Sequence, residues 1–392
     1  MPPPLPLFFS AFEPSGDRLA AALIAEIKRR EPERVVYAYG GPMMEAAGAQ
    51  LLERTTDHAV MLLDAAKEFL NHRRRVARLK AWFKTHPISA FIPVDSPAAH
   101  WVMCKAVRAG CPSAKVIHLV CPQVWAWAPW RVNWLKKLTD RVLCLLPSEV
   151  DFLKQHGIPA SFVGHPVFEE VKIAPPPAPP GTFPAADPGA PKIAILAGSR
   201  KKEVLHNLQT FAEVFRQVRV KHPSAVGVLC MRREADAQWM NEAAGGAALP
   251  EGLHAISGLT PQAWEWCDAG LVKSGTSTLE AAAHRVPLVM MFNVVPWKWL
   301  WFIASRTLIR TRTFGLPNLI GQSLGLGRVC PEFCPHFGDP APVAAAFLPL
   351  LEKESPERLG QLRKFDAIAA AFAGKHFAKD GADALLDELK NA

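Results

Sequence analysis

The sequence predicts an α/β fold made of two doubly wound parallel-sheet domains, and three observations lead to that fold class. Short apolar runs rich in β-forming residues alternate with longer helical patterns along most of the chain. The apolar runs are nearly continuous, as in parallel strands that are buried on both faces. A proline-dense stretch at 175–191 interrupts the alternation, which then starts again.

The front half of the chain contains a series of predicted strands, most of them followed by a predicted helix. The strands are PLFFSA (6–11), VVYAYGG (35–41), AFIPVD (90–95), KVIHLV (115–120) and RVLCLLP (141–147). The helices, at 17–30, 42–48, 98–109 and 148–156, follow from apolar residues that recur at helical spacing.

The same alternation continues after the proline-rich stretch. Predicted strands are KIAILAG (192–198), AVGVLC (225–230), a run near HAIS (254–257), the start of DAGLVKSG (268–275) and PLVMMF (287–292). A long helix is predicted at 202–221 and a helical tail at 341–392. We therefore expect an N-terminal domain at 1–172, a linker at 173–191, a C-terminal domain at 192–345 and C-terminal helices at 346–392. Because open parallel sheets bind ligands beyond the carboxyl ends of their strands, the active site is expected in an interdomain cleft.

Composition limits the classes of function. The 392 residues are 49% hydrophobic and 21% charged, which excludes a disordered chain. The excess of 45 Lys and Arg over 36 Asp and Glu favours anionic partners, although no nucleic-acid recognition module is visible. Eight scattered cysteines without zinc-type spacing predict buried thiols, no metal site and a reducing compartment such as the cytoplasm. No apolar run reaches the roughly 18 residues of a membrane-spanning helix, so at most surface contact with a membrane is expected.

The segment SAFEPSGD at 10–17 directly follows the first predicted strand. Ser15 and Gly16 at a helix start would offer backbone N–H groups to an anion, with Glu13 beside them. The alternative is an ordinary helix that Ser15 or Asp17 caps, and spacing alone leaves both interpretations open. The segment lacks the GxGxxG pattern, which disfavours a nicotinamide-dependent enzyme.

Asp95 ends the apolar run FIPVD, a position where carboxylates of α/β enzymes commonly lie. A partly desolvated carboxylate there is suited to remove a proton from an attacking hydroxyl. The simpler alternative is that Asp95 caps the helix that begins near Pro97, and taken alone the residues favour this cap.

Two strand–turn–helix segments of the back half have the composition of anion-binding turns. At 196–203, Gly198 allows close backbone approach, Ser199 can cap the helix, and Arg200 offers a fork of donors to a phosphate. At 273–280, small residues precede a helix whose Glu280 is suited to accept hydrogen bonds from a ribose. The candidate diphosphate-binding residues of this second turn are Ser274, Gly275, Thr276 and Ser277. Two such turns in one domain and a carboxylate in the other are harder to explain as caps than one turn alone.

An aromatic and basic segment at 295–312 has the composition of a helix that lies in a membrane interface. Its candidate membrane-facing residues are Trp297, Trp299, Trp301 and Arg306. A buried aromatic core with solvated basic ends explains the same composition equally well.

Taken in order, these segments resemble the lipid-A-disaccharide synthase family over about residues 8–333. The family motifs, some of them altered, are AGExSGD at 11–17, GGPxMxxxG at 40–48, IDAPDFN at 94–100, HYVSPSVWAW at 118–127, FVGHP at 162–166, PGSR at 197–200, SGTxxLE at 274–280 and SLPN at 315–318. Their order and spacing are more specific than any single turn. The resemblance implies the GT-B fold, which consists of two Rossmann-like domains.

The resemblance implies an inverting glycosyltransferase that joins UDP-2,3-diacylglucosamine to 2,3-diacylglucosamine 1-phosphate (lipid X). The products would be UDP and the β-1,6-linked lipid A disaccharide 1-phosphate, with no metal or other cofactor. By the same resemblance Asp95 is the general base, Arg200 is the essential arginine and Glu13 is a further catalytic residue. The implied contacts are, on the donor side, Gly198, Ser199, Arg200, Ser274, Gly275, Thr276, Ser277, Glu280 and Asn318, and, on the acceptor side, Ser15, Gly16, Gln123, Trp125 and His165. Peripheral association with the cytoplasmic face of the inner membrane is implied as well, while the family's homodimers leave the oligomeric state of this chain open.

Several positions depart from the family motifs, namely Phe12, Ala98, His100, Ala128 and Ala197. Phe12 stands where the family has glycine, and its bulk would narrow the site near the acceptor. The acyl chains of the acceptor, and even its identity, therefore stay open. Two alternatives remain: another UDP-sugar enzyme of the same fold, such as a nucleotide-sugar 2-epimerase, or an inactive relative that binds lipid or nucleotide.

Overall fold

The computed structural model describes residues 4–56, 65–126, 128–198, 201–231, 249–294 and 311–390. Contacts within the chain divide it into two units, each of which is described by itself. Unit 1 comprises Met1–Pro166 with Gly374–Ala392, and unit 2 comprises Val167–Ala373. Each unit contains one sheet whose strand pairings are parallel, so the predicted fold class is confirmed.

Unit 1 is built on a seven-stranded sheet. Its strands are β1 (Leu7–Ser10), β2 (Val36–Gly40), β3 (Gln50–Arg54), β4 (Ala90–Pro93), β5 (Lys115–Leu119), β6 (Arg141–Cys144) and β7 (Ala160–Phe162). Its first helices are α1 (Pro14–Arg30), α2 (Pro42–Ala46), α3 (Ala65–Phe83), α4 (Pro97–Gly110), α5 (Val132–Leu138) and α6 (Pro147–Gln155). The strand order is β3-β2-β1-β4-β5-β6-β7, so the sheet grows in opposite directions from the β1–β4 pair. The carboxyl ends of β1 and β4 therefore form the place where open α/β sheets bind ligands.

The core of unit 1 lies on both faces of this sheet, because successive residues of a strand point to opposite sides. On β1, Leu7 and Phe9 pack in one apolar cluster and Phe8 packs in the other. This two-sided burial explains why the strands read as continuous apolar runs.

Helix α1 begins at Pro14 rather than at the predicted residue 17, because proline is suited to a first helical turn. Glu13 occupies its N-cap position, so the interpretation of Ser15 or Asp17 as its cap is wrong. The buried carboxylate of Asp17 instead accepts hydrogen bonds of 3.0 to 3.1 Å from backbone N–H groups at the start of α2. The donors are Gly41, Met43 and Met44. Asp17 thus fixes α1 to α2 behind the candidate site.

Unit 2 is built on a six-stranded sheet. Its strands are β8 (Lys192–Leu196), β9 (Val226–Met231), β10 (Leu253–Ser257), β11 (Ala269–Lys273), β12 (Leu288–Asn293) and β13 (Glu332–His336). Its helices are α7 (Val167–Glu170), α8 (Lys201–Lys221), α9 (Thr260–Trp266), α10 (Thr276–Ala283), α11 (Leu316–Ser323), α12 (Pro340–Phe347) and α13 (Pro356–Ala371). The strand order is β10-β9-β8-β11-β12-β13, which puts the reversal of direction at the β8–β11 pair. The two candidate anion-binding turns follow these two strands.

The last helix of the chain, α14 (Phe377–Lys390), returns to unit 1. Phe377 and Leu385 are buried in the same apolar cluster as Ile24 of α1. Glu388 accepts a hydrogen bond of 2.7 Å from Arg141 of β6. The C-terminal helix is therefore part of the core of unit 1, although the chain crosses all of unit 2 before reaching it.

Candidate active site

Asp95 lies two residues after the end of β4, at the carboxyl edge of the sheet of unit 1. Its backbone N–H donates a 3.0 Å hydrogen bond to the carbonyl oxygen of Leu119, which ties the turn to the neighbouring strand β5. Burial raises the pKa of Asp95, the Ser96 N–H bonded to its carboxylate lowers it, and the charge of Glu13 raises it. Ser96, not Asp95, occupies the N-cap position of α4, so the interpretation of Asp95 as the helix cap is wrong. A carboxylate with a raised pKa is a stronger base for a hydroxyl proton.

Glu13, Ser15 and Gly16 lie at the beginning of α1, beside the turn that carries Asp95. The first helical bond of α1 runs over 3.0 Å from the N–H of Asp17 to the carbonyl of Glu13, so the N–H groups of Ser15 and Gly16 precede it. Gly16 lies next to the turn, because a Cβ at this position would be 3.5 Å from Cγ1 of Val94, the residue before Asp95. The structure therefore brings these predicted residues close to Asp95.

The remaining predicted acceptor-side residues follow other strands of unit 1. Gln123 is exposed and Trp125 is partly buried, both in the segment after β5. His165 is buried after β7, where burial lowers its pKa to about 3 and the charge of Arg18 lowers it as well. His165 is therefore a neutral imidazole at neutral pH.

Sequence reasoning missed Glu149, a buried carboxyl in the first turn of α6. It accepts a 3.2 Å hydrogen bond from the N–H of Leu146 and lies close to the Trp125 indole, whose N–H makes no bond of ordinary geometry. Burial raises the pKa of Glu149 to about 8. The Leu146 N–H and the nearby Trp125 indole lower this pKa by less, and the charge of Asp95 raises it as well. The only sequence signal was its place after the apolar run RVLCLLP, which is also the place of an ordinary helix start.

Two buried thiols lie next to Glu149. The ligand-type atoms of Cys121, Cys144 and Glu149 are within 4.8 Å of one another. The Cys121 thiol donates a 3.4 Å hydrogen bond to the carbonyl of Pro122, and its contact with Cys144 and its burial raise its pKa. The Cys121 thiol and the Glu149 carboxyl are thus held protonated at neutral pH and pack as neutral core groups.

In unit 2, Gly198 lies in the turn that follows β8. Its φ of 135° favours glycine, and a Cβ there would lie 2.7 Å from Glu203 Cβ in the first turn of α8. Glu203 pairs at 3.3 Å with Lys273 at the end of β11. Lys273 also lies over the ring of Phe292, 5.3 Å from its centroid. This ion pair joins the two turns that the sequence predicted to bind anions.

The second turn of unit 2 leads from β11 into α10, which begins at Thr276. The hydroxyl of the buried Thr278 donates a 2.7 Å hydrogen bond to the carbonyl of Gly275, and the N–H of Ser274 bonds Met291 over 3.0 Å. Thr276 is exposed, and the other predicted residues of this turn are partly exposed, namely Ser274, Gly275, Ser277 and Glu280. The start of α10 therefore presents its small polar residues at the carboxyl edge of the sheet.

Asn318, the last predicted donor-side residue, is fully buried in α11. Its amide nitrogen donates to the Cys330 carbonyl at 3.0 Å and to the Glu332 carboxylate at 2.7 Å. Its oxygen accepts the N–H groups of Val329 and Cys330, both at 2.8 Å. The amide thus holds the loop before β13 in place, while Glu332 accepts N–H bonds from the residues that precede α11.

Six predicted site residues lie outside the part of the chain that the structure describes. They are Ser199 and Arg200 of the first anion-binding turn and the membrane-facing residues Trp297, Trp299, Trp301 and Arg306.

Unit 1 also carries an aromatic surface that sequence reasoning missed. Trp130 and Trp134 are 49% and 45% exposed. Lys105 lies 5.7 Å from the centroid of the Trp134 ring. We call Trp130, Trp134 and Lys105, with the exposed Lys137 one helical turn beyond Trp134 in α5, the Trp130–Trp134 surface. Across the ranges described, no helix combines the length and apolar character needed to cross a bilayer.

The family match and the related sequences indicate the same protein family. The chain matches the lipid-A-disaccharide synthetase family over residues 7–373. The lipid-A-disaccharide synthase of Paraburkholderia phymatum is 33% identical over 362 residues, covering 91% of this chain and 89% of the relative. The synthase of Alkalilimnicola ehrlichii is 31% identical over 354 residues, covering 88% of each chain.

Solved structures share the fold at low identity. A UDP-N-acetylglucosamine 2-epimerase has a TM-score of 0.62 at 11% identity, covering 99% of this chain and 98% of the epimerase. The spinosyn rhamnosyltransferase SpnG has a TM-score of 0.56 at 12% identity, covering 98% of this chain and 100% of the transferase. At these identities the likenesses show that the fold is shared.

Proposed function

Because the chain belongs to the lipid-A-disaccharide synthase family, we propose how its two units divide the reaction of that family. The chain is a glycosyltransferase that moves 2,3-diacylglucosamine from UDP-2,3-diacylglucosamine to the 6-hydroxyl of lipid X. The products are UDP and the β-1,6-linked disaccharide 1-phosphate. Unit 1 receives the acceptor, and unit 2 holds the UDP of the donor.

Asp95 acts as the general base for the acceptor hydroxyl. The observation that supports this role is its place at the β1–β4 reversal, with a pKa that burial and Glu13 raise. As the sugar carbon loses the diphosphate, the acceptor oxygen attacks it from the opposite face and its proton passes to the Asp95 carboxylate. Ser15 and Gly16 offer N–H groups to the 1-phosphate of the acceptor. Trp125, Gln123 and His165 border the acceptor.

The two turns of unit 2 hold the diphosphate of the donor. This assignment rests on their place at the β8–β11 reversal and on the Lys273–Glu203 pair that joins them. Backbone N–H groups and hydroxyls at the start of α10 compensate the negative charge that develops on the leaving UDP. Arg200 adds a fixed positive charge, and Glu280 accepts hydrogen bonds from the ribose. Asn318 acts by holding the loop before β13, since its amide is used within the protein.

The reaction itself can be tested with two defined substrates. Purified enzyme incubated with UDP-2,3-diacylglucosamine and lipid X is expected to form the disaccharide 1-phosphate and one UDP per disaccharide, measured by mass spectrometry. UDP-N-acetylglucosamine without acceptor serves as the control for a 2-epimerase, and no epimer is expected. Formation of the epimer, or UDP binding without any disaccharide, would contradict the proposal.

We further infer that the enzyme works in the cytoplasm, against the inner membrane surface. Both substrates carry acyl chains, and the basic Trp130–Trp134 surface resembles the polar–aromatic border of membrane-bound helices. The segment containing Trp297, Trp299, Trp301 and Arg306 has the same composition. A homodimer is part of the same proposal and is measured by light scattering of the purified chain.

Membrane association predicts a specific loss of vesicle binding. Trp130→Ser with Trp134→Ser is expected to weaken binding to phosphatidylglycerol-containing vesicles by about tenfold, because roughly 1.4 kcal/mol of aromatic insertion is lost. Flotation measures the bound fraction. The control is Val220→Ser, at an 82% exposed apolar residue of unit 2. Equal binding of all three proteins, or no binding by the unchanged enzyme, would contradict the assignment of this surface.

A further inference from the structure

The turn that carries Asp95 has an unusual backbone. Asp95 and Ser96 both have left-handed conformations, with φ of 49° and 42°. Such a conformation is unfavourable for a non-glycine residue, and it persists only where the surroundings hold it. Two such residues in succession in the turn after β4 mean that neighbouring groups fix this turn.

His100, in the first turns of α4, is the side chain that bonds this turn. It is fully buried, and its Nδ1 lies 2.7 Å from the backbone carbonyl oxygen of Asp95. Its Nε2 lies 3.1 Å from the hydroxyl of Ser10, the last residue of β1. The imidazole therefore spans the two strand ends whose reversal forms the candidate site.

The protonation state of His100 follows from its partners. Burial lowers its pKa to about 4; the Asp95 carbonyl raises it and the charge of His72 lowers it, so the ring is neutral at neutral pH. A carbonyl oxygen only accepts, so the single proton of the neutral ring is on Nδ1. Nε2 then accepts from the Ser10 hydroxyl at 3.1 Å, since it is a stronger acceptor than the Met103 sulfur 3.8 Å from the same oxygen. Nδ1 is therefore a hydrogen-bond donor and Nε2 is a hydrogen-bond acceptor.

Aromatic contacts fix the plane of this ring. The Phe12 ring lies 5.2 Å from the His100 ring, centroid to centroid, and the Phe91 ring lies at 6.5 Å. Phe12 is held in turn by the Arg75 guanidinium, 5.4 Å from its centroid. The His100 donor therefore has one direction, toward the carbonyl of Asp95.

We propose that His100 is a positioning residue for Asp95: its Nδ1–H bond to the Asp95 carbonyl, oriented by the Ser10 hydroxyl, holds the left-handed turn that aims the carboxylate. His100 touches no substrate and acts only through the backbone of Asp95. The proposal rests on the proposed role of Asp95 as the base. A buried histidine that only filled space would need neither bond, and any apolar side chain of similar size would replace it.

Three variants at one position separate these roles. In His100→Asn the amide nitrogen takes the place of Nδ1 and keeps the donor to Asp95, whereas in His100→Gln the amide reaches the place of Nε2. His100→Leu removes both bonds. We expect His100→Asn to keep kcat within about threefold of the unchanged enzyme, and His100→Gln and His100→Leu to lose about 10- to 100-fold with KM nearly unchanged. Folded protein is quantified by circular dichroism before each assay.

The pH dependence supplies a readout that a purely structural role would not move. In His100→Gln the acid limb of the kcat profile is expected to move to lower pH, because the carboxylate leaves the buried environment that raises its pKa. In His100→Asn the acid limb is expected to stay in place. Ser10→Ala, which removes the donor to Nε2 together with the weaker 3.8 Å contact to Met103 Sδ, is expected to shift the acid limb in the same direction as His100→Gln with a smaller loss of kcat. If His100→Leu does not fold, Ser10→Ala still tests whether His100 positions Asp95.

Results that contradict the role of His100 differ from results that contradict the role of Asp95. Unchanged kcat and pH profile in folded His100→Gln and Ser10→Ala would overturn the role of His100. Equal losses in His100→Asn and His100→Gln would overturn it too, because the bond to Asp95 would then be irrelevant. Full activity of Asp95→Asn in the same assays would instead overturn the role of Asp95.

Discussion

Replacing Asp95 by asparagine is expected to lower kcat by about three orders of magnitude, since general base catalysis contributes roughly 10²- to 10⁴-fold. Asparagine has nearly the same shape and keeps the turn after β4, but its amide cannot take a proton. KM for both substrates should therefore change little. Initial rates of disaccharide formation at saturating donor and acceptor measure the effect.

The matched control is Asp151→Asn, at an exposed aspartate of α6 in the same unit. This variant is expected to keep wild-type kcat, because surface substitutions of this kind change stability by less than about 0.5 kcal/mol and touch no substrate. If Asp95→Asn retained more than about a tenth of wild-type kcat, another group would have to accept the proton.

The pH profile gives an independent check on Asp95. A base works only when deprotonated, so kcat is expected to fall as the pH drops through the pKa of Asp95. Burial and the charge of Glu13 raise this pKa, so the acid limb should lie at a higher pH than that of an ordinary aspartate. Glu13→Gln removes the like charge and is expected to move the limb to lower pH. A shift to higher pH would contradict the assignment.

The strands of both sheets could be predicted from the sequence because two-sided burial leaves a simple signal. Phe8 and Phe9 point to opposite faces of one sheet and are both buried, so β1 reads as an unbroken apolar run. Parallel pairing and the position of the strand ends then follow from the alternation with helices. The proximity of Glu13 to Asp95 could be predicted on the same grounds.

Contacts between distant segments left no such signal. Asp17 looks like a helix cap in the sequence, but its carboxylate bonds α2, and only the folded sheet brings α2 within reach. The return of α14 to unit 1 depends on apolar residues such as Phe377 that would suit either unit. His100 and Glu149 look like ordinary residues of helix starts, and their importance lies in burial and bond direction.

Replacing Arg200 by alanine is expected to lower kcat by about 10²- to 10³-fold, the usual cost of losing one donor to a developing charge. The leaving diphosphate gains negative charge in the transition state, and a planar guanidinium can bond two of its oxygens at once. Arg200→Lys keeps the charge but not the fork, so its kcat should lie between those of the alanine variant and the unchanged enzyme.

Arg216→Ala in α8 is the matched control, because Arg216 is half exposed and pairs with Glu213 one turn away in the same helix. Its kcat is expected to stay at the wild-type value. UDP affinity, measured by titration calorimetry, separates two ways in which Arg200 can act. An interaction made only in the transition state lowers kcat and leaves UDP affinity nearly unchanged, whereas uniform binding of the diphosphate raises KM for the donor at constant kcat. We expect the first pattern, because the start of α10 already supplies N–H groups and hydroxyls for the ground state. A normal kcat with weakened UDP binding would assign Arg200 to substrate binding alone.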